Sequence, residues 1–170
     1  MSILRIVLCL ILVLCCWKWG GVKNWKKYYP TILYLIVNQL LYRFFVDENL
    51  LWRLEDDYFL NPVFSFLLQT FLIFPCMVIL FLSNLPESWK KQILYLLLSA
   101  AILIGIETVM HIGGRITYHH GWNYGWSLIF NFLMVLMWRF HYYKPIPAWL
   151  ISFLCAAFFI IYFHVPLPEH

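Results

Sequence analysis

Charged side chains are scarce in this chain. Asp, Glu, Lys and Arg make up 12% of its 170 residues, where a soluble globular domain carries roughly 25%. That shortage excludes an ordinary water-soluble domain. Glycine is scarce too, and no Gly-rich phosphate loop or G-x-S-x-G nucleophile turn is present. The five cysteines, Cys9, Cys15, Cys16, Cys76 and Cys155, form no C-x-x-C pair, so neither a zinc knuckle nor a disulfide framework is indicated. They sit inside apolar runs and read as small packing residues. H-E-x-x-H is absent, as are linkers, low-complexity stretches and internal repeats. Net charge is only +4, and no basic stretch is dense enough for nucleic acid apart from the lysines of 18–27, which have a topological explanation.

What fills the chain instead is apolar and aromatic, at 64% and 21% of residues. The fold class expected is all-α, a polytopic transmembrane helix bundle of about six spans in a single integral membrane domain covering 1–170. The spans fall at about 3–19, 28–46, 62–85, 92–111, 122–138 and 147–163, each close to the roughly 20 residues that cross a bilayer core. The first is short and reaches span length if Arg5 snorkels. It carries no small-x-small cleavage site and is read as a retained helix. All nine tryptophans, Trp17, Trp19, Trp25, Trp52, Trp89, Trp122, Trp126, Trp138 and Trp149, lie at or near span ends, the headgroup level that indole prefers. Pro75, deep in the third span, is expected to kink it.

Lysine and arginine set the orientation. Lys18, Lys23, Lys26 and Lys27 follow span one, Lys90 and Lys91 follow span three, and Arg139 and Lys144 follow span five. Positive loops stay cytoplasmic, so both termini are expected outside. Arg5, Arg53 and Arg115 fall on the other side, together with an acidic loop holding Asp47, Glu48, Glu55, Asp56 and Asp57.

Polar side chains inside spans are costly and face the bundle interior. Span two has Asn38, Gln39 and Arg43; span three has Ser65 and Gln69; span four has Glu107, Thr108 and His111. Glu107 and His111 are i,i+4 and share a helix face. Asn123, Ser127 and Asn131 make an i,i+4,i+8 stripe on span five. With the stated orientation, most of these groups fall in the outer half of the bundle. The candidate polar pocket therefore comprises Asn38, Arg43, Gln69, Glu107, His111, Asn123, Ser127 and Asn131, with His119 and His120 from the loop 113–122. It is expected to open outward beneath that loop. The plain alternative is that these groups only bond helices together, at roughly 0.6 kcal/mol per contact. Ala101 and Gly105, and likewise Ser152 and Ala156, are small-xxx-small pairs that permit close helix approach.

Several short segments together resemble an uncharacterised family of small multi-pass membrane proteins from endospore-forming Gram-positive bacteria of the Bacillus and Clostridium type. The resemblance rests on Trp17-Lys18-Trp19-Gly20, Asn24-Trp25-Lys26-Lys27-Tyr28-Tyr29-Pro30-Thr31 and Leu51-Trp52-Arg53. It continues in Trp89-Lys90-Lys91-Gln92-Ile93-Leu94-Tyr95, Glu107, His119-His120-Gly121-Trp122-Asn123, Trp126-Ser127, Arg139-x-His141-Tyr142 and Lys144-Pro145. It implies a multi-pass protein of the cell membrane and brings no catalytic residues. Asn38-Gln39 and Arg43 depart from it, which sets aside an Arg43–Glu107 ion pair as a shared feature.

The reading that follows is non-enzymatic: a bundle with a polar pocket and no cofactor or metal. Its partners are the lipid bilayer and a further membrane protein or second copy, not nucleic acid. Two readings stand beside it. One is a small transporter or channel subunit using Glu107. The other is a membrane-embedded metalloenzyme, in which Glu107, His111, His119 and His120 would offer carboxylate and imidazole ligands.

Overall fold

The computed structural model describes residues 2–46, 50–55 and 62–166. Long apolar runs without helix breakers become helices throughout: α1 (Ser2–Trp19), α2 (Trp25–Val46), α3 (Pro62–Leu68), α4 (Phe74–Ser83), α5 (Trp89–Ile112), α6 (Tyr124–Tyr143) and α7 (Pro145–Tyr162). A single π turn, Gln69–Ile73, joins α3 to α4, so Val63–Ser83 is one helical rod. Pro75 lacks an N–H for the carbonyl four residues back. The expected kink takes the form of this widened turn just before Pro75, and the rod continues through it.

Surface chemistry is inverted relative to a water-soluble protein. Isoleucines, leucines and phenylalanines cover the outside of α5 and α7, while Thr31, Gln39, Ser65, Thr70, Gln92, Ser127, Asn131 and His141 are buried. Three helices are long and apolar enough to cross a membrane: Val63–Ser83, Trp89–Ile112 and Pro145–Tyr162. A fourth span results if Val7–Trp19 and Val22–Val46, bent by 79° at their junction, count together. Length and apolarity thus support three to four spans where the sequence predicts six. The shortfall has a physical source. α2 and α6 carry the polar groups that turn inward, Gln39 on one and Ser127, Asn131 and His141 on the other, and these dilute their apolar character.

Helices α1 and α2 both pack on α4, and α6 packs on α2, α5 and α7. The main core joins Ile32 and Leu35 of α2, Phe74, Val78 and Phe81 of α4, Leu96 and Ala100 of α5, and Val135 and Trp138 of α6. Inside it, Thr31 and His141 share a hydrogen bond of 3.1 Å, and Tyr34 stacks on His141 at 4.2 Å. Tyr34 also bonds Ser152 of α7. Most lysines, with Arg139, lie toward the end away from the loop 113–122. There the Arg139 Nε donates to Gln92 at 2.8 Å, Lys27 lies over the Tyr142 ring, and Asn84 donates to the Trp19 carbonyl at 3.0 Å.

The opposite end holds a feature the sequence reading lacks. Trp52–Leu54 (β1) pairs antiparallel with Ile116–Tyr118 (β2), matching Trp52 to Tyr118, Arg53 to Thr117 and Leu54 to Ile116. The ribbon ties the α2–α3 loop to the α5–α6 loop. A second apolar cluster of Val46, Leu50, Leu51, Trp122, Phe163 and Val165 lies beside it. Trp52 stacks on Tyr42 at 5.9 Å. Asp47, Glu48, Asp56 and Asp57 of the acidic loop lie outside the described residues, as does the Arg5 side chain. Glu55 is described, and its carboxylate accepts from Thr117 at 2.6 Å.

The α1–α2 junction depends on glycine. Gly21 is left-handed at φ 56° and a Cβ on Gly20 would lie 2.3 Å from the Cys16 carbonyl oxygen. At Gly105 of α5 a Cβ meets nothing within 4 Å, so this small-xxx-small site has no close neighbour among the described residues. Gly20→Ala should therefore destabilise the detergent-solubilised protein by roughly 1–3 kcal/mol. Gly105→Ala should be neutral or stabilising by up to about 1 kcal/mol through helix propensity. Thermal unfolding of the two variants checks the opposite signs.

Candidate functional site

The site is built where α5 and α6 meet the ribbon. Glu107 sits one turn before the end of α5. Its Oε1 accepts a hydrogen bond of 2.6 Å from the Tyr118 hydroxyl of β2, and its Oε2 accepts one from the Asn131 amide of α6 at 2.5 Å. Both oxygens accept, the pattern of a carboxylate. The second Asn131 hydrogen goes to the Ser127 carbonyl at 2.9 Å. Ser127, one turn earlier, accepts from the Trp122 indole at 2.9 Å through its hydroxyl oxygen. Five residues from three segments thus form one chain of bonds.

Helix spacing explains why α6 supplies two members. Ser127 and Asn131 are i,i+4 and buried on one face. The first residue of that stripe, Asn123, serves a different purpose. It is the α6 N-cap, and its side-chain oxygen accepts from the Trp126 N–H at 3.3 Å. Tyr118 is held from the other side by His111, which stacks on it at 4.6 Å and bonds the Ile116 carbonyl at 2.9 Å through Nδ1. Burial first, and then the bond to Glu107, push the Tyr118 phenol up to about 12.

Glu107, Ser127 and Asn131 line one end of a cavity of about 410 Å³, together with Ser65, Gln69 and Gln39. Its walls are otherwise apolar, from α1, α4, α5 and α6. Trp52, Ile116 and Trp122 also line the polar end. A smaller cavity of about 210 Å³ lies between α2, α6 and α7 and shares Gln39 as a wall.

Gln39 is the unusual member. It is only 8% exposed, faces both cavities, and its side chain has no hydrogen-bond partner among the described residues. Gln69, half-buried at the start of the π turn, also lines the larger cavity, and its amide has no partner among the described residues.

Of the residues singled out by sequence, Gln69, Glu107, Ser127 and Asn131 come together. Asn38 does not join them: its amide donates to the Tyr34 carbonyl of its own helix at 2.7 Å, and it lines the smaller cavity. Arg43 lines neither cavity, and no Arg43–Glu107 pair forms among the described residues. His119 is exposed and bonds Thr117 at 2.9 Å. His120 is exposed at φ 53°, a turn position. The histidines and Glu107 are therefore dispersed, and among the described residues no three His, Cys, Asp or Glu side chains converge on one point. Beneath the loop 113–122, Trp52, Ile116 and Trp122 line the polar end of the larger cavity.

Tyr118, Trp122, Gln39 and Ser65 were missing from the sequence-based pocket. For Gln39 a signal existed. Tyr28, Ile32, Leu35, Gln39 and Val46 lie on one helical stripe, and all are buried.

Fold and site together describe an all-helical protein with three to four candidate membrane spans and a carboxylate-centred polar chamber. Comparison with protein-family models, curated proteins and solved structures finds no match.

The Tyr118 shift gives a pH signature. A phenol whose folded pKa lies above its free value of 10.0 contributes stability that is complete below pH 10 and is lost as pH rises toward about 12. Thermal midpoints of the wild type should fall across that window. Those of Tyr118→Phe should fall less steeply.

Proposed function

We propose that the chain is a six-span protein of the cell membrane whose work is binding, with both termini outside and the ribbon end at the outer face. It is read as a non-enzymatic member of the small multi-pass membrane proteins of endospore-forming bacteria that its sequence resembles. The gathering of Lys27, Lys90, Lys91, Arg139 and Lys144 toward the end away from the ribbon supports this orientation. The more polar rods α2 and α6 count as spans because Gln39, Ser127, Asn131 and His141 are buried, and α1 counts through its apolar run.

One observation carries the binding role. Two glutamine amides, Gln39 and Gln69, face a cavity of about 410 Å³ without a partner among the described residues, beside a carboxylate already fixed in place by Tyr118 and Asn131. That volume lies within the roughly 300–1,000 Å³ range of ligand sites. Fixed polar groups at one end of an apolar chamber orient a ligand and select it.

Thiol labelling tests the chamber. In a background with all five cysteines replaced, Gln39→Cys and Gln69→Cys should react with a small membrane-permeant thiol reagent at least about tenfold faster than Val78→Cys. Val78 is 0% exposed and belongs to the packed core, where access needs local opening. Equal protection at all three positions in folded protein would show that the chamber is closed and packed, and would remove the binding role.

A further inference from the structure

The chamber has a second opening that bears on what it holds. Its lining includes Ile11 of α1 and Ile102 and Ile106 of α5. These residues are 51%, 63% and 42% exposed on the outside of the bundle. Residues that both line a cavity and show on the outer surface mark its mouth. Helix α5 packs chiefly on α6, and α1 packs on α4, which leaves a cleft between α1 and α5. In a membrane that cleft faces acyl chains rather than water. Trp52 and Trp122 line the polar end.

Along its length the chamber changes character. Near the ribbon are Glu107, Asn131, Ser127, Gln39 and Gln69; toward the far end are Leu12, Cys15, Met77, Leu80 and Leu103. Its wall on the α3–α4 rod covers 65–80, about 22 Å at 1.5 Å per residue. That is well over half of a hydrocarbon core of about 30 Å. A slot that is polar at one end, apolar along the rest and open sideways to lipid matches an amphiphile with one chain.

The head group is constrained by charge. Neither lysine nor arginine lines the chamber, so a phosphate would meet the Glu107 carboxylate with no cation between them. Two like charges in such contact repel strongly in a low-dielectric interior. Hydroxyl and amide groups have the opposite fit. They can donate to the carboxylate and exchange hydrogen bonds with the two idle glutamines.

From this placement we infer that the chamber holds a single-chain lipid with an uncharged, hydroxyl- or amide-bearing head, admitted sideways from the bilayer between α1 and α5. The tail lies along the apolar wall, and the head bonds Gln39, Gln69 and Glu107. This rests on the binding role proposed above and adds the ligand class and its route.

The test uses the full chain in phosphatidylcholine liposomes with two photoactivatable probes of equal chain length, a monoacylglycerol and a lysophosphatidate. The monoacylglycerol should crosslink to 8–15 of α1 and 102–110 of α5, and excess unlabelled monoacylglycerol should abolish it. Ile106→Trp, which plugs the mouth from a lipid-facing position, should remove the competable signal. Gln39→Leu should weaken competition by about tenfold, the worth of one or two hydrogen bonds. Lysophosphatidate should label poorly and gain in Glu107→Gln. Crosslinking spread evenly over the outer helices without competition, or equal labelling by both probes, would overturn the lipid assignment. If Gln39→Cys still reacts with thiol reagents in that case, the chamber stands and only its occupant is wrong. If Gln39→Cys is protected as well, both readings fall.

Discussion

A carboxylate inside a low-dielectric bundle is tolerable only when its oxygens are bonded. Glu107 imposes that condition on everything around it. One oxygen requires Tyr118, which fixes the ribbon register and carries the α2–α3 loop onto the α5–α6 loop. The other requires Asn131, which sets the rotation of α6 against α5. Asn131 in turn positions Ser127, and Ser127 receives the Trp122 indole that helps line the chamber. Moving α5 by one residue, about 100° of rotation on a 3.6-residue turn, would strand the carboxylate and both of its donors.

The remaining helices solve the complementary problem of a lipid solvent. With apolar surroundings, burying leucine gains little, so the exterior is covered with leucine, isoleucine and phenylalanine while the inside collects polar side chains. Most of these are spent on helix–helix bonds, such as Thr31 with His141 and Gln92 with Arg139. Gln39 and Gln69 are not spent in this way. Fixed donors and acceptors beside an open volume are what a binding site needs and what a purely structural core avoids.

Much of this arrangement was legible in the sequence. The six helical segments were visible as apolar runs bounded by tryptophan and lysine, with ends a few residues from those observed. The shared face of Ser127 and Asn131 followed from their spacing, and Glu107 stood out as an acid within an apolar run. Other parts were hidden for definite reasons. Three-residue strands such as Trp52–Leu54 are too short for an alternation signal, and their partner lies some sixty residues away. Asn38 and Gln39 are adjacent, so choosing between them needs the helix rotation, which the stripe through Ile32 and Leu35 sets. Asn123 fits the polar stripe by spacing, yet as the first turn began it became a cap. The bend of 79° between α1 and α2 arises at Gly20 and Gly21, where hydropathy carries no directional information.

The central claim is that Glu107 couples the ribbon to the bundle through Tyr118. A double-mutant cycle of Tyr118→Phe and Glu107→Leu, read as unfolding free energy in detergent, measures that coupling directly. The account predicts a pairwise term of about 0.5–3 kcal/mol, with the double variant less destabilised than the sum of the two single changes. Strict additivity within about 0.3 kcal/mol would contradict it, because the two groups would then contribute independently and the chamber would lose its organising contact.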